Sequence, residues 1–177
     1  MNNRANIGAE LVPVTEADFE TVASLAATIW HSHYTKIIGM AQVNYMLARR
    51  YTPENLRNYV NSTKQWFELL RVDSKPVGYC SYSLTKNPGE MKLEQLYLLE
   101  AFRKKGLGGI MLRHIEAEAR KRNIRILVLQ VNKRNEDSIA IYRRAGFRVR
   151  MEAVFDIGNG YIMDDYVMEK MVHGSLL

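Results

Sequence analysis

Gln95-Leu96-Tyr97-Leu98-Leu99-Glu100-Ala101-Phe102-Arg103-Lys104-Lys105-Gly106-Leu107-Gly108-Gly109 reads as a strand, a basic turn with closely spaced glycines, and the start of a helix. Such a turn points several backbone N–H groups at one spot, and the helix behind it adds the positive end of its macrodipole. Arg103, Lys104 and Lys105 crowd the same place. The combination suits a phosphate or pyrophosphate.

Two familiar phosphate loops do not fit. A P-loop needs four residues between its glycines and then Gly-Lys-Ser/Thr, which Gly108-Gly109-Ile110 does not supply. A dinucleotide fingerprint needs Gly-x-Gly-x-x-Gly, but here Gly106-Leu107-Gly108 is followed by Met111 where the third glycine would stand.

Working outward, Met91 to Leu99 is a long strand feeding the loop, and the helix behind it carries Leu107, Met111, Ile115 and Ala119 at successive i+4 positions. Ile124 to Val131 is nearly continuous in Ile, Leu and Val, as in a central strand covered on both faces. Asn135 to Ala145 is a short helix with Asn135 as cap, acids in the first turn, arginines in the last and Gly146 past its end. Phe147 to Ile157 and Tyr161 to Met171 are strands joined by Gly158-Asn159-Gly160.

Upstream, Leu11 to Val14 is a short strand. Thr15 and Asp18 can cap a helix bearing Phe19, Val22, Leu25, Ala26, Ile29 and Trp30 on one face. Further helices run from Met40 to Arg50 and from Thr52-Pro53 onward. Trp66 to Val72 and Val77 to Leu84 form a hairpin across Asp73-Ser74-Lys75-Pro76. The element order mixes hairpins with a strand–helix–strand crossover, so an α+β fold with a mixed sheet is expected. A disordered lead over residues 1–9, one domain over 10–172 and a frayed tail over 173–177 are expected.

The 177 residues are 47% hydrophobic and 25% charged, enough for one domain with a real core. A net charge of +6 favours anionic partners. The single cysteine, Cys80, lies in an apolar strand-like run and reads as a packed thiol. The N-terminus has no apolar signal core, and no apolar run approaches the roughly 20 residues that span a bilayer. A cytoplasmic protein with no membrane partner is expected.

The pattern Arg103-x-x-Gly106-x-Gly108 at a strand–helix junction resembles the acyl-CoA pyrophosphate loop of the GNAT superfamily of N-acetyltransferases. Asn135, Ser138, Ala140, Tyr142 and Gly146-Phe147 resemble that superfamily's second signature, in the right order. The likeness is residue-specific over about 91–149. Family members often carry proline where Glu100 stands. The pair Leu93-Glu94 is similar to one in spermidine/spermine acetyltransferases.

The resemblance implies a mostly antiparallel mixed sheet of about six to seven strands flanked by helices, acetyl-CoA as cosubstrate, no metal and no nucleic acid, with a homodimer allowed. It implies acetyl transfer to a primary amine (small amine, polyamine or peptide amine) by direct attack in a ternary complex. The alternative is a non-catalytic acyl-CoA-binding regulatory module.

It also implies roles. Backbone groups of Leu96, Tyr97 and Leu98 would pair with the pantetheine arm, and the Leu98 N–H would face the thioester carbonyl. Arg103, Lys104, Lys105, Gly106, Leu107, Gly108 and Gly109 would cradle the pyrophosphate, with Asn135 and Ser138 also on the cofactor side. Tyr142, seven residues after Asn135 and on the same helix face, would be the general acid. Glu94 would be the base, placed on one strand face with Leu96 and Leu98. His31 and His33 are the alternatives. Trp30, Tyr34, Tyr45, Tyr51, Asp164, Asp165 and Tyr166 are candidate acceptor lining, suited to a cationic amine.

Overall fold

The computed structural model describes residues 8–172. The expected tail lies outside the described residues, as does the expected lead as far as residue 7. Ala9, the last residue of that lead, already belongs to a strand and pairs with Val72.

The elements are β1 (Ala9–Pro13), α1 (Phe19–His33), α2 (Thr35–Ile38), α3 (Met40–Arg50), α4 (Pro53–Arg57), β2 (Gln65–Val72), β3 (Lys75–Leu84), β4 (Glu90–Leu98), α5 (Leu107–Lys121), β5 (Ile126–Asn132), α6 (Glu136–Arg144), β6 (Arg148–Gly158) and β7 (Tyr161–Met171). The seven strands form one sheet in the order β1-β2-β3-β4-β5-β7-β6. β4 and β5 are parallel, joined by the α5 crossover, while β1–β2, β5–β7 and β6–β7 are antiparallel. The mixed sheet flanked by helices is as expected.

The chain forms two compact units. The first comprises residues 8–82 and 95–113, the second 83–94 and 114–172. In the first, Thr15 N–H and Oγ1 both donate to the Asp18 carboxylate at 3.0 and 2.7 Å, fixing the entry to α1. The apolar stripe of α1, Phe19, Val22, Leu25, Ala26, Ile29 and Trp30, is wholly buried with Val43, Leu56, Phe67 and Leu69. Each fully buried Val, Leu, Ile or Phe among them contributes about 1.5–3 kcal/mol by leaving water. The β2–β3 turn is the two residues Asp73 and Ser74, both at positive φ (49° and 64°), so β3 resumes at Lys75, earlier than expected. Cys80 is buried, and burial, with Glu68 beside it, pushes its thiol well up.

The second unit buries Met91, Leu93, Ile115, Ala119, Leu127, Leu129 and Met168. The β6–β7 hairpin turns through Gly158, Asn159 and Gly160, all at positive φ.

One feature departs from expectation: α2 is an extra turn of helix, ended by Gly39 at φ 86°. α5 starts at Leu107, just past the turn at Gly106 (φ 81°), and Leu107 is already buried. Among the described residues no helix is long and apolar enough to cross a membrane, and no three His, Cys, Asp or Glu side chains gather as metal ligands.

Candidate active site

In the first unit β4 runs out at Leu98 into a short 3-10 turn, Glu100–Phe102. Lys104 (φ 60°) and Gly106 (φ 81°) then bend the backbone into a concave turn, and Ile110 N–H donates to the Gly106 carbonyl at 3.1 Å. The N–H groups of Leu107, Gly108 and Gly109 fall in the first turn of α5, where a helix offers them no internal partner. A Cβ added at Gly106 would meet nothing within 4 Å, so the space over this backbone is open. Lys104 and Lys105 are exposed, and Lys105 lies over the Phe102 ring at 5.2 Å. Glu100 is exposed. Arg103 is turned back toward the strand: its Nε donates to the Leu98 carbonyl at 3.3 Å, and Nη1 lies 3.5 Å from His33 Nδ1.

The edge of β4 is selective. Leu99 N–H donates to the Val77 carbonyl at 2.9 Å, so by strand alternation the N–H groups of Leu96 and Leu98 point to the other edge. Tyr97 points its backbone at β3. Gly78 approaches so closely that a Cβ there would strike the Tyr97 carbonyl oxygen. Leu96 and Leu98 therefore present free-edge geometry, and the expected backbone role of Tyr97 is not supported by its orientation. The β4–β5 ladder spans only Glu90–Leu93 against Ile126–Leu129, five residues short of the end of β4.

Behind β4 lies an aromatic cluster the sequence did not reveal. Trp30 Nε1 donates to Tyr79 OH (3.2 Å), Tyr79 and Tyr51 hydroxyls meet at 2.8 Å, and Tyr51 OH donates to Gln95 Oε1 at 2.6 Å. An indole N–H can only donate and an amide oxygen only accept, so the chain runs one way: Trp30, Tyr79, Tyr51, Gln95. Burial pushes both phenols far above their ordinary range, so they stay protonated. Trp30 is 2% exposed and belongs to this core, not to an open acceptor surface. Tyr34 is half-buried, with its ring 4.9 Å from Trp30 and its hydroxyl 3.3 Å from Tyr97 OH.

The second unit holds the other candidates. Asn135 caps α6, accepting from Ser138 N–H at 3.4 Å, and is buried. Tyr142, two turns along, is half-buried and packs edge-on against Phe147 at 5.7 Å. Glu94 is engaged on both oxygens: Ser83 Oγ donates to Oε1 at 2.9 Å, and Lys92 Nζ lies 3.0 Å from Oε2. Asp164 pairs with Lys133 at 2.7 Å. Asp165 is 5% exposed, and its Oδ1 is buried with no hydrogen-bond partner. Its carboxyl is pushed up to about 6, by burial first and by Asp164 second, with Lys92 and Lys133 opposing.

Glu94 does not share a face with Leu96 and Leu98 by simple alternation. Ser83 holds Glu94 and Tyr79 meets Tyr97 edge-on at 5.4 Å, yet Ser83 and Tyr79 are four residues apart in β3, on one face of that strand. Gln95 and Tyr97 both reach the Tyr51–Tyr79 pair, so β4 alternates regularly from Gln95 to Leu98 and the slip falls between Glu94 and Gln95.

The acetyltransferase (GNAT) family model matches residues 41–147. The chain belongs to the GNAT acetyltransferase family. It is 24% identical over 144 residues to the spermidine N(1)-acetyltransferase of Thermoplasma acidophilum, covering 79% of this chain and 88% of that one. Its fold superposes on the PaiA N-acetyltransferase of Thermoplasma acidophilum, solved in complex with coenzyme A, with a TM-score of 0.78 at 22% identity, covering 92% and 98% of the two chains. A GNAT-family acetyltransferase from Streptococcus pneumoniae superposes with a TM-score of 0.68 at 18% identity, covering 93% and 99%.

For this N-acetyltransferase the fit of a pyrophosphate can be judged on the loop itself. The concave backbone at Lys104–Gly106, the open space over Gly106 and the first-turn amides of α5 make an anion cradle that needs no side chain. The residues missed by sequence reasoning are Tyr51, Tyr79 and Gln95 as a relay. Gln95 follows Glu94 in a strand that also carries Glu90 and Lys92, so nothing in the sequence set it apart from its polar neighbours.

Proposed function

We propose that this acetyltransferase moves the acetyl group of acetyl-CoA to a primary amine, on a small amine, a polyamine or a peptide, by direct attack with both substrates bound. The observation that carries the reading is the amide cradle where β4 passes through Gly106 into α5. Similarity to a spermidine acetyltransferase and to a fold solved with coenzyme A supports it.

In this reading, backbone amides of Gly106, Leu107, Gly108 and Gly109 hold the pyrophosphate, and Lys104 and Lys105 add positive field. Arg103, tied to Leu98 and His33, holds the loop against the strand end. The free edge at Leu96 and Leu98 pairs with the pantetheine arm. Acetyl-CoA, when bound, supplies an acetyl group activated as a thioester. The Leu98 N–H stabilises charge gathering on the carbonyl oxygen. Tyr142 gives the departing sulfur a proton, with Asn135 and Ser138 fixing the start of its helix. By the resemblance, Glu94 would take the amine's proton. Tyr34, Asp164 and Asp165 serve the acceptor, and Trp30 backs Tyr34 from the core. The same reading expects a cytoplasmic enzyme without nucleic-acid or membrane partners and allows a homodimer.

The test is to incubate the protein with acetyl-CoA and spermidine, benzylamine or a lysine-containing peptide. Free thiol and acetylated product are followed, with the melting temperature in coenzyme A measured alongside. Amine-dependent thiol release and a raised melting temperature are expected. A melting rise with no transfer to any amine would make the chain an acyl-CoA-binding module. The absence of both effects would refute the reading.

A further inference from the structure

Four carboxylates lie on one face of the sheet in the second unit. Register places them there: Glu90 is opposite Ile126, Lys92 opposite Val128, and Val128 opposite Glu169, with Glu94 and Asp165 at even intervals from these on β4 and β7. Three are answered by cations. Arg150 pairs with Glu90 at 2.7 Å and lies 3.7 Å from Glu169, Arg148 pairs with Glu169 at 2.8 Å, and Lys92 pairs with Glu94. Asp165 has no such pair among the described residues, and its buried Oδ1 lacks any donor.

The surroundings of Asp165 do not make up the deficit. Across β5 stands Asn132 and across β6 stands Ala153, neither charged. Asp164, next to it on β7, repels a negative charge, and Lys133 is taken by Asp164 and Glu152. Lys92 on β4 attracts it from within a pair with Glu94. A buried carboxylate without a donor is costly, and a ligand N–H would supply what is missing. Glu94 is in the opposite condition. A hydroxyl and an ammonium already answer its two oxygens, so it does not call for a ligand donor as Asp165 does.

We propose that Asp165, not Glu94, receives the proton of the attacking amine, its carboxylate accepting an N–H of the acceptor. The proposal rests on the acetyltransferase reading above. As the amine nitrogen bonds to the acetyl carbon, the carbon–sulfur bond breaks and its electron pair leaves on sulfur. The nitrogen's proton passes to Asp165 and later to solvent, and the sulfur is protonated from Tyr142, which regains its proton from water. Burial tunes Asp165 toward neutrality, where a proton acceptor works well. Glu94 then acts as a positioning residue, holding Lys92 whose charge Asp165 feels.

Wild type, Asp165→Asn and Glu94→Gln are compared in three measurements: acetyl-CoA binding by calorimetry, acetyl transfer to spermidine and benzylamine over about pH 5–9, and carboxyl carbon NMR of aspartate-labelled protein. Asparagine buries no charge, so Asp165→Asn is expected to fold. It should bind acetyl-CoA as wild type does, lose about 100-fold or more in kcat/KM, and lose the acidic limb of the pH profile. Glu94→Gln should keep that limb, displaced to lower pH because Lys92 is released toward Asp165. In wild type, one aspartate carboxyl should titrate near neutrality and shift on adding benzylamine. A profile unchanged by Asp165→Asn, a limb abolished by Glu94→Gln, or an aspartate signal indifferent to amine would overturn the proposal while leaving the acetyltransferase reading intact. A wild type that binds no acetyl-CoA or acetylates no amine would sink both.

Discussion

Replacing Tyr51 by Phe removes one oxygen from the middle of the one-way relay. Two bonds go with it, the 2.8 Å contact with Tyr79 and the 2.6 Å bond to Gln95. Gln95 is 3% exposed, so water cannot replace the lost donor. An unsatisfied buried acceptor costs about 1–3 kcal/mol. For a chain of this size, about 2 kcal/mol lowers the melting temperature by about 4–8 °C. Gln95→Leu should also destabilise, because it strands the Tyr51 hydroxyl. The double variant Tyr51→Phe/Gln95→Leu removes both members, so its cost should fall short of the sum by about 1–2 kcal/mol. Urea denaturation of the four proteins measures the cycle, with the slope of unfolding free energy against urea expected to stay constant. A Tyr51→Phe change costing under about 0.5 kcal/mol, or singles that add within about 0.3 kcal/mol, would refute the relay as a structural element.

Asp165 makes stability pH-dependent with a definite sign. Its folded-state value of about 6 lies above the ordinary 3.8, so the folded protein holds this proton more tightly, and stability falls as pH rises from about 4 to above 6. The difference corresponds to at most about 3 kcal/mol, so Asp165→Asn should gain on wild type by about 1–3 kcal/mol between pH 4 and pH 8, read from urea midpoints. Gly78→Ala would drive a Cβ into the Tyr97 carbonyl oxygen and to 2.7 Å from the Leu98 side chain. A loss of about 3 kcal/mol or more is expected in thermal melts, and a neutral result would refute the close approach. Gly106→Ala meets no atom but must hold φ 81°, so it should cost only about 1 kcal/mol in stability while weakening coenzyme A binding about tenfold or more by calorimetry. Tyr142→Phe should lower kcat about 100-fold and leave acetyl-CoA affinity within about twofold; equal loss of binding would make it a packing residue.

The elements were legible where one physical signal dominated. The stripe of α1 and the capped α6 stood out because burial and capping each impose a fixed spacing. The loop was legible for a similar reason, since only glycine tolerates Gly106's backbone at little cost. What stayed hidden depended on partners distant in sequence. Period-two alternation put Glu94 with Leu96 and Leu98, and a slip within β4 cannot be read from composition. Which edge Tyr97 offers is set by Val77, some twenty residues upstream. Asp164 and Asp165 look alike in sequence, yet one is answered by Lys133 and the other is buried unanswered, because adjacent strand residues point to opposite faces.

Cys80 has a practical consequence. Each turnover of the proposed reaction liberates one coenzyme A sulfhydryl, and the usual way to count it is a thiol reagent. The protein's only sulfhydryl is fully enclosed and held in its protonated, unreactive form. The folded enzyme is thus chemically silent toward such a reagent. Even a single enzyme equivalent of product can be counted without correction, and any labelling of the protein itself reports that the fold around β3 has opened.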